Sequence, residues 1–599
     1  MKKVFNIIVA FIAACFFPIL IFDETLSFSN SPFSLVFFLL LVLLFYQKEK
    51  GAYDTRGKVL AYIFGTILTL FVFLGHSLET IGGVKWSVSC LITVILYAYV
   101  LGSLVLVFWG YLEKAEIALS KNAETTKLNR IISGLFQHQW IIPLALVLLW
   151  LPCFIAAFPG TFQYDATTEF EQINSGFRGD FPLLHSFLIT HILQFFYNVF
   201  GSYNAGIACF VICQMILAAL MYMNLFHTLY KKNVNVGVLF ALLLYCGLFP
   251  LIQLLVTSSV RDALFGILLT YTVFLFYLAA SDRVAFYTTV KYPVLLGVVL
   301  ALTFLARNNN AGTVAFFVIA FIAAIVFLRN RKISIRGSLI FGVMAVFGYI
   351  LMLNALVALC QPMIEQSKNG ALTVLAQPPA RSYFYENERW TDEERAEFAT
   401  FYDLDGLHYD PENSDFTIVH LHIDGRMKEF LKFYVKIGMK DPACYLDSYL
   451  NNTRGVWDPT MVLDGYNRVN APSYANYEKS YFYFGDEIEA PGVRMHLAPK
   501  LEKYYKTIGL MVSFEKVPIV SMLFSVGFQF WILLNCFFYA LYRKAKTLYP
   551  TVVILIVYTV GFALLAALIL PRYFCALFFA LPLIAAFTLQ PGRLSEINE

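Results

Sequence analysis

Asp165 and Glu169 stand four residues apart in FPGTFQYDATTEF (158–170), one turn apart wherever that stretch is helical. Asp165 follows an apolar run and then Pro159 and Gly160, residues that end a helix and turn the chain along a surface. A carboxylate placed so can reach a membrane interface without entering lipid. Its chemistry there is that of a general base taking the proton from an acceptor hydroxyl, with Asp165 first in line and Glu169 second. The plainer reading is a surface aspartate capping a helix that starts near Thr167. Three arginines, Arg261, Arg307 and Arg572, sit at the ends of apolar segments. A guanidinium is a planar fork that never loses its charge and grips phosphate oxygens two at a time, so the three suit an anionic, lipid-borne group. The alternative for each is a side chain snorkelling to headgroups. Asn308, next to Arg307, adds donors, and His185 either bonds a phosphate or holds its helix in register.

The elements that position these residues are membrane helices. The 599 residues are 59% hydrophobic and only 14% charged, whereas soluble domains carry about a quarter charged residues. Segments near the length needed to span a bilayer fall at 4–22, 32–47, 59–75, 87–111, 139–158, 205–229, 235–252, 261–280, 293–306, 311–328, 337–359, 514–541, 549–570 and 572–590. The apolar start runs past Cys15 to Phe22, which reads as a first helix and not a cleaved leader. With Lys2 and Lys3 inside, every basic loop falls on one side, as cytoplasmic loops should. That alternation holds only if 183–201, which carries His185, His191, Gln194 and Asn198, lies along the surface. About 14 spans follow, with both termini cytoplasmic and Arg261, Arg307 and Arg572 on the outer side. The chain divides into a four-span accessory module (1–138), a membrane core (139–359) with a first outer loop at 159–203, an extracytoplasmic domain (360–513) and three final spans (514–599).

The 360–513 segment is expected to be of mixed secondary structure. Thr391 and Glu394 have capping-box spacing, and 442–450 has a helical apolar stripe. His420 and His422 in VHLHID share one face if that stretch is a strand, but no third ligand stands at a recognisable offset. DLDGLHYD (403–410) lacks the closing glutamate of a calcium loop and reads as a turn. Cys360 and Cys444 are the two cysteines on the outer side, too few for a disulfide framework. No cofactor is called for, a divalent metal is not part of the expectation, and nothing suggests nucleic acid.

FPGTFQYD (158–165), PLLH (182–185), SSVRDALF (258–265), LARNNN and LAQPPARSYF (375–384) resemble the DUF6020 group of bacterial multi-pass proteins. The layout, an aspartate in the first outer loop just after a span followed by surface helices and further spans, resembles the GT-C superfamily of glycosyltransferases. That resemblance implies transfer of a sugar from a polyprenyl-phosphate-type donor to a cell-envelope glycan or lipid on the outer face of the bacterial plasma membrane. Asp165 and Glu169 would be catalytic. Arg307, Arg261, Arg572, His185, Asn308, Arg381 and Tyr164 would bind substrate. Many superfamily members pair two acidic residues in this loop, whereas Asp165 has Tyr164 and Ala166 beside it, so a metal-binding pair is not implied. A transporter or scramblase, or a non-catalytic envelope-binding protein, are the alternatives. The span centres lack Asp, Glu, Lys and Arg, which counts against ion coupling. Asp165 and the three arginines meeting at one place would favour an enzyme.

Overall fold

The computed structural model describes residues 2–16, 32–84, 87–121, 127–162, 165–179, 181–282, 286, 289–307, 335–361, 372–423, 425–459, 461, 490–509 and 520–589. Tyr164, Asn308 and the apolar segment 311–328 lie outside them. The described chain is all helical; its only β pairings are isolated bridges. Nine of these helices are long and apolar enough to cross a membrane, or eleven if each of two bent pairs is one span. Three shorter apolar helices, Lys3–Cys15, Lys291–Leu305 and Val526–Tyr542, fall below that length. Large apolar side chains such as Leu144, Leu148, Phe347 and Leu351 stay exposed, as on helices whose solvent is lipid. The protein is a multi-pass helical membrane protein. The Leu183–Phe200 helix, expected on the surface, has a length and composition that also suit a crossing.

The mixed secondary structure expected of 360–513 is not found among the described residues. Thr373–Glu386, Asp392–Ala399, Met427–Lys440 and Pro442–Trp457 are helices around a core that includes Trp390, Phe398, Phe430 and Phe433. The Thr391–Glu394 capping box is present. His420 lies in a turn and His422 in irregular chain on either side of Leu421, whose isolated bridge to Tyr402 is the one pairing there, so the strand that would align them does not form. Cys360 and Cys444 are both free thiols.

The Arg261–Ser281 helix is apolar all round and buried over 89% of its span window, as a helix without a polar face must be. It packs against Lys291–Leu305, Cys575–Leu589, Tyr549–Ala563 and Tyr203–Lys231. Gly266 makes its closest approach possible: a Cβ there would stand 2.2 Å from Cys575 Sγ. Cys575 Sγ in turn donates to the Asp262 carbonyl at 2.9 Å. This contact seats the start of one helix, with Arg261 and Asp262, beside Arg572 in the turn Pro571–Phe574.

Candidate functional site

Two backbone segments are laced together to present the carboxylates. Thr161 N–H donates to the Thr257 carbonyl at 3.1 Å, and Ser259 N–H donates to the Thr161 carbonyl at 2.9 Å. Ser259 Oγ donates to that same carbonyl at 2.8 Å. Gln214 Nε2 fastens the second segment from behind, donating to the carbonyls of Val256 at 3.1 Å and Ser258 at 2.7 Å. Gly160 adopts φ +136°, where a Cβ would meet Val211 Cγ2 at 2.6 Å. Only glycine takes that turn without strain. The chain that leaves Ala157 is thereby aimed so that the Asp165–Ser175 helix starts opposite Arg261.

Asp165, Glu169, Arg261, Arg307, Arg572 and His185 form one connected chain of ion pairs and hydrogen bonds, in which Asp262 joins Arg307 to Arg572. Asp165 Oδ2 accepts from Arg572 Nη1 at 3.0 Å and faces Arg261 Nη2 at 3.5 Å. Arg261 Nη1 reaches Glu169 Oε1 at 3.4 Å. Glu169 Oε2 accepts from His185 Nδ1, with both side chains fully buried. Asp262 Oδ1 accepts from Arg307 Nη1, and its Oδ2 faces Arg572 Nε at 3.5 Å. Arg307 lies over the rings of Phe562, Tyr573 and Phe265, and its Nε has no hydrogen-bond partner among the described residues. Three carboxylates thus answer three guanidiniums, as buried charge requires.

Exposure separates the members into layers. Asp262, Glu169 and His185 are fully buried, and Arg307 is 4% and Arg572 8% exposed. Asp165 at 22% and Arg261 at 18% are the two open to the surroundings. Burial pushes the Asp165 carboxyl up, but Arg261, Arg572 and Arg307 together outweigh it and hold the group at about 2. Asp165 is therefore ionised at neutral pH. Its position in the first turn of its helix adds the favourable end of the helix dipole. The arginines grip Oδ2, which leaves Oδ1 able to accept a hydrogen bond from a hydroxyl.

Arg381 is not brought to this network. It donates to the Gly82 carbonyl at 2.5 Å and Tyr409 Oη at 3.2 Å, and pairs with Asp447 at 3.8 Å, so it fastens the 360–513 segment to the loop after the Thr55–Ile81 helix. His185 contacts the Glu169 carboxylate, and its Nε2 has no hydrogen-bond partner among the described residues. Asp262 is the sequence neighbour of Arg261, where the adjacent pair could neutralise itself. Its carboxylate instead turns to Arg307 and Arg572, 45 and 310 positions away, and the only local signal was an acid at the end of an apolar helix. No group of three or more His, Cys, Asp or Glu side chains suited to a metal occurs among the described residues.

No curated protein and no solved structure matches this chain. The model of a family of unknown function, DUF6020, matches residues 177–588. That stretch includes His185, Arg261, Asp262, Arg307 and Arg572, and leaves Asp165 and Glu169 just ahead of its start. Covering well over half of the sequence, the match means that the chain belongs to the DUF6020 family.

Proposed function

We propose that the protein is a membrane glycosyltransferase of GT-C type. In this reading it moves a sugar from a polyprenyl-phosphate-type lipid to a hydroxyl of a cell-envelope glycan or lipid on the outer face of the plasma membrane. The observation that carries the reading is the pairing of Asp165 with Arg261 at the exposed edge of a network of arginines set at the ends of apolar helices. A lipid phosphate arrives from the bilayer side, and helix ends are where it can be met.

The members then divide the work. Arg261 is the arginine readiest to take a phosphate. Both its ion contacts are long, at 3.4 and 3.5 Å, and it is the most exposed of the three. Arg572 and Arg307, held from behind by Asp262, supply positive potential at the point where the leaving phosphate gains charge, and cations so placed favour the transition state over the ground state. Asp165 Oδ1 accepts the hydrogen bond of the acceptor hydroxyl. The hydroxyl oxygen attacks the anomeric carbon and gives up its proton to a carboxylate of the site, the bond from that carbon to the phosphate oxygen breaks, and the electron pair stays on the phosphate. Single displacement inverts the anomeric centre. Glu169 and His185 keep Arg261 aimed.

The test is transfer by the purified protein in nanodiscs, supplied with radiolabelled lipid-linked saccharides extracted from the native membrane and with envelope acceptor fractions. Labelled product that depends on Asp165 and Arg261 supports the reading. Absence of transfer from the full set of native donors overturns it. Movement of intact lipid-linked saccharide between leaflets without transfer would make the protein a scramblase.

A further inference from the structure

The 360–513 segment does more than cover the membrane helices. Asn413 bridges to Leu568, and Ser414 donates to the Ala567 carbonyl through both its N–H, at 2.9 Å, and its Oγ, at 2.8 Å. Asn452 Nδ2 adds a bond to the Ala566 carbonyl at 3.0 Å. Ala566, Ala567 and Leu568 belong to the strap that runs directly into Pro571 and Arg572. The residue after Ser414 is Asp415, which opens the short helix Asp415–Ile418. It is half-buried and close enough to Arg572 and Asp165 for both charges to act on it.

We propose that Asp415, delivered by this segment to the rim of the arginine network, is the carboxylate that takes the proton of the acceptor hydroxyl. The inference rests on the transfer reading above and adds to it a second catalytic residue from a separate part of the chain. Asp165 orients the hydroxyl through Oδ1; Asp415 receives the proton as the new glycosidic bond forms. Charge stays balanced: the phosphate gains one negative charge at the arginines while Asp415 loses one beside them. The proton then leaves to water.

Two physical points favour Asp415 for this step. A general base works best when its proton affinity approaches the operating pH, and Asp165 is far from that because the three arginines hold it at about 2. Asp415 is shifted the other way. Burial raises it, Arg572 opposes and Asp165 reinforces the rise. Neighbouring carboxyls whose environments drive their proton affinities apart are the pattern of divided acid and base roles. The anchors of this turn are Ser414, Asn413 and Asn452, not the Asp415 carboxylate, so the side chain is free to act.

The experiment compares wild type, Asp415→Asn, Asp415→Glu and Asp165→Asn, all full length in nanodiscs, in the native lipid-linked saccharide assay at a series of pH values. Asp415→Asn is expected to lower turnover by about 10²–10⁴-fold and to shift the acid limb of the pH profile to lower pH, because the remaining carboxylate stays ionised further down. Asp415→Glu should restore most of the rate, and melting temperatures should match wild type. Wild-type transfer with Asp415→Asn unchanged in rate and acid limb overturns this inference and leaves the function standing. A rate loss with an unmoved acid limb and no rescue by Glu also overturns it, in favour of a packing role. No transfer by wild type overturns the function and the inference together.

Discussion

Asp262→Asn should destabilise the protein by about 3–5 kcal/mol, the cost of removing one partner from a buried ion pair. The Asp262 side chain is fully buried and bridges Arg307, 4% exposed, and Arg572, 8% exposed. Asparagine fills the same space, so no cavity enters the sum. A lost neutral hydrogen bond accounts for only about 0.5–1.5 kcal/mol; the rest comes from two guanidiniums left in a dry site, with an amide NH₂ turned toward one of them. Equilibrium unfolding in mixed micelles, followed by tryptophan fluorescence, gives the free energy. Asp262→Asn with Arg307→Leu removes one of the stranded cations and should recover part of the loss, since partners in one network are not additive. Asp392→Asn is the control. It pairs with Arg395 at 2.7 Å but is fully exposed, and surface pairs contribute little. A loss below about 1 kcal/mol for Asp262→Asn would refute its role as a buried bridge between the two arginines, because ion pairs of that weight are those screened by solvent. So would simple additivity in the double variant.

Asp165→Asn should reduce transfer by about 10²-fold, the cost of a misplaced acceptor hydroxyl, in the lipid-linked saccharide assay at normal protein yield. Glu169→Gln should cost less turnover and more stability, because Glu169 is fully buried against His185. A larger turnover loss in Glu169→Gln would reverse the two roles. Because folding lowers Asp165 from 3.8 to about 2, its contribution is full above the unfolded value and lost as pH falls from about 4 to about 2. The loss should approach 2 kcal/mol between unfolding curves at pH 5 and below pH 2, and be missing from Asp165→Asn. Cysteine labelling in intact cells should tag 360–513 and spare the 329–336 loop, as the one-sided basic loops require; the opposite pattern would invert the topology and move the network to the cytoplasmic side.

What could be read from the sequence follows from how local each signal is. Apolar length marks the Arg261–Ser281 helix, and three-residue spacing marks the Thr391–Glu394 capping box. Membrane-side bookkeeping, which needs only sequence order, singled out Arg261, Arg307 and Arg572. It could not say which carboxylate each would meet. Adjacent residues on a helix point about 100° apart, so Arg261 and Asp262 cannot share a direction: one turns to Asp165 and Glu169, the other inward to Arg307 and Arg572. Glu169 and His185 find each other because the helices Asp165–Ser175 and Leu183–Phe200 pack against each other, a contact with no periodic trace. Asp415 was the hardest to see. It lies in a polar stretch rich in acids, and long-range contacts put it near Arg572: the Ser414–Ala567 bonds, spanning 153 positions, with the Asn413–Leu568 bridge and the Asn452–Ala566 bond. The same bonds explain why chemistry could depend on that stretch: a carboxylate pinned to the strap before Arg572 moves with that arginine, so any shift of the inserted segment changes charge at the network itself.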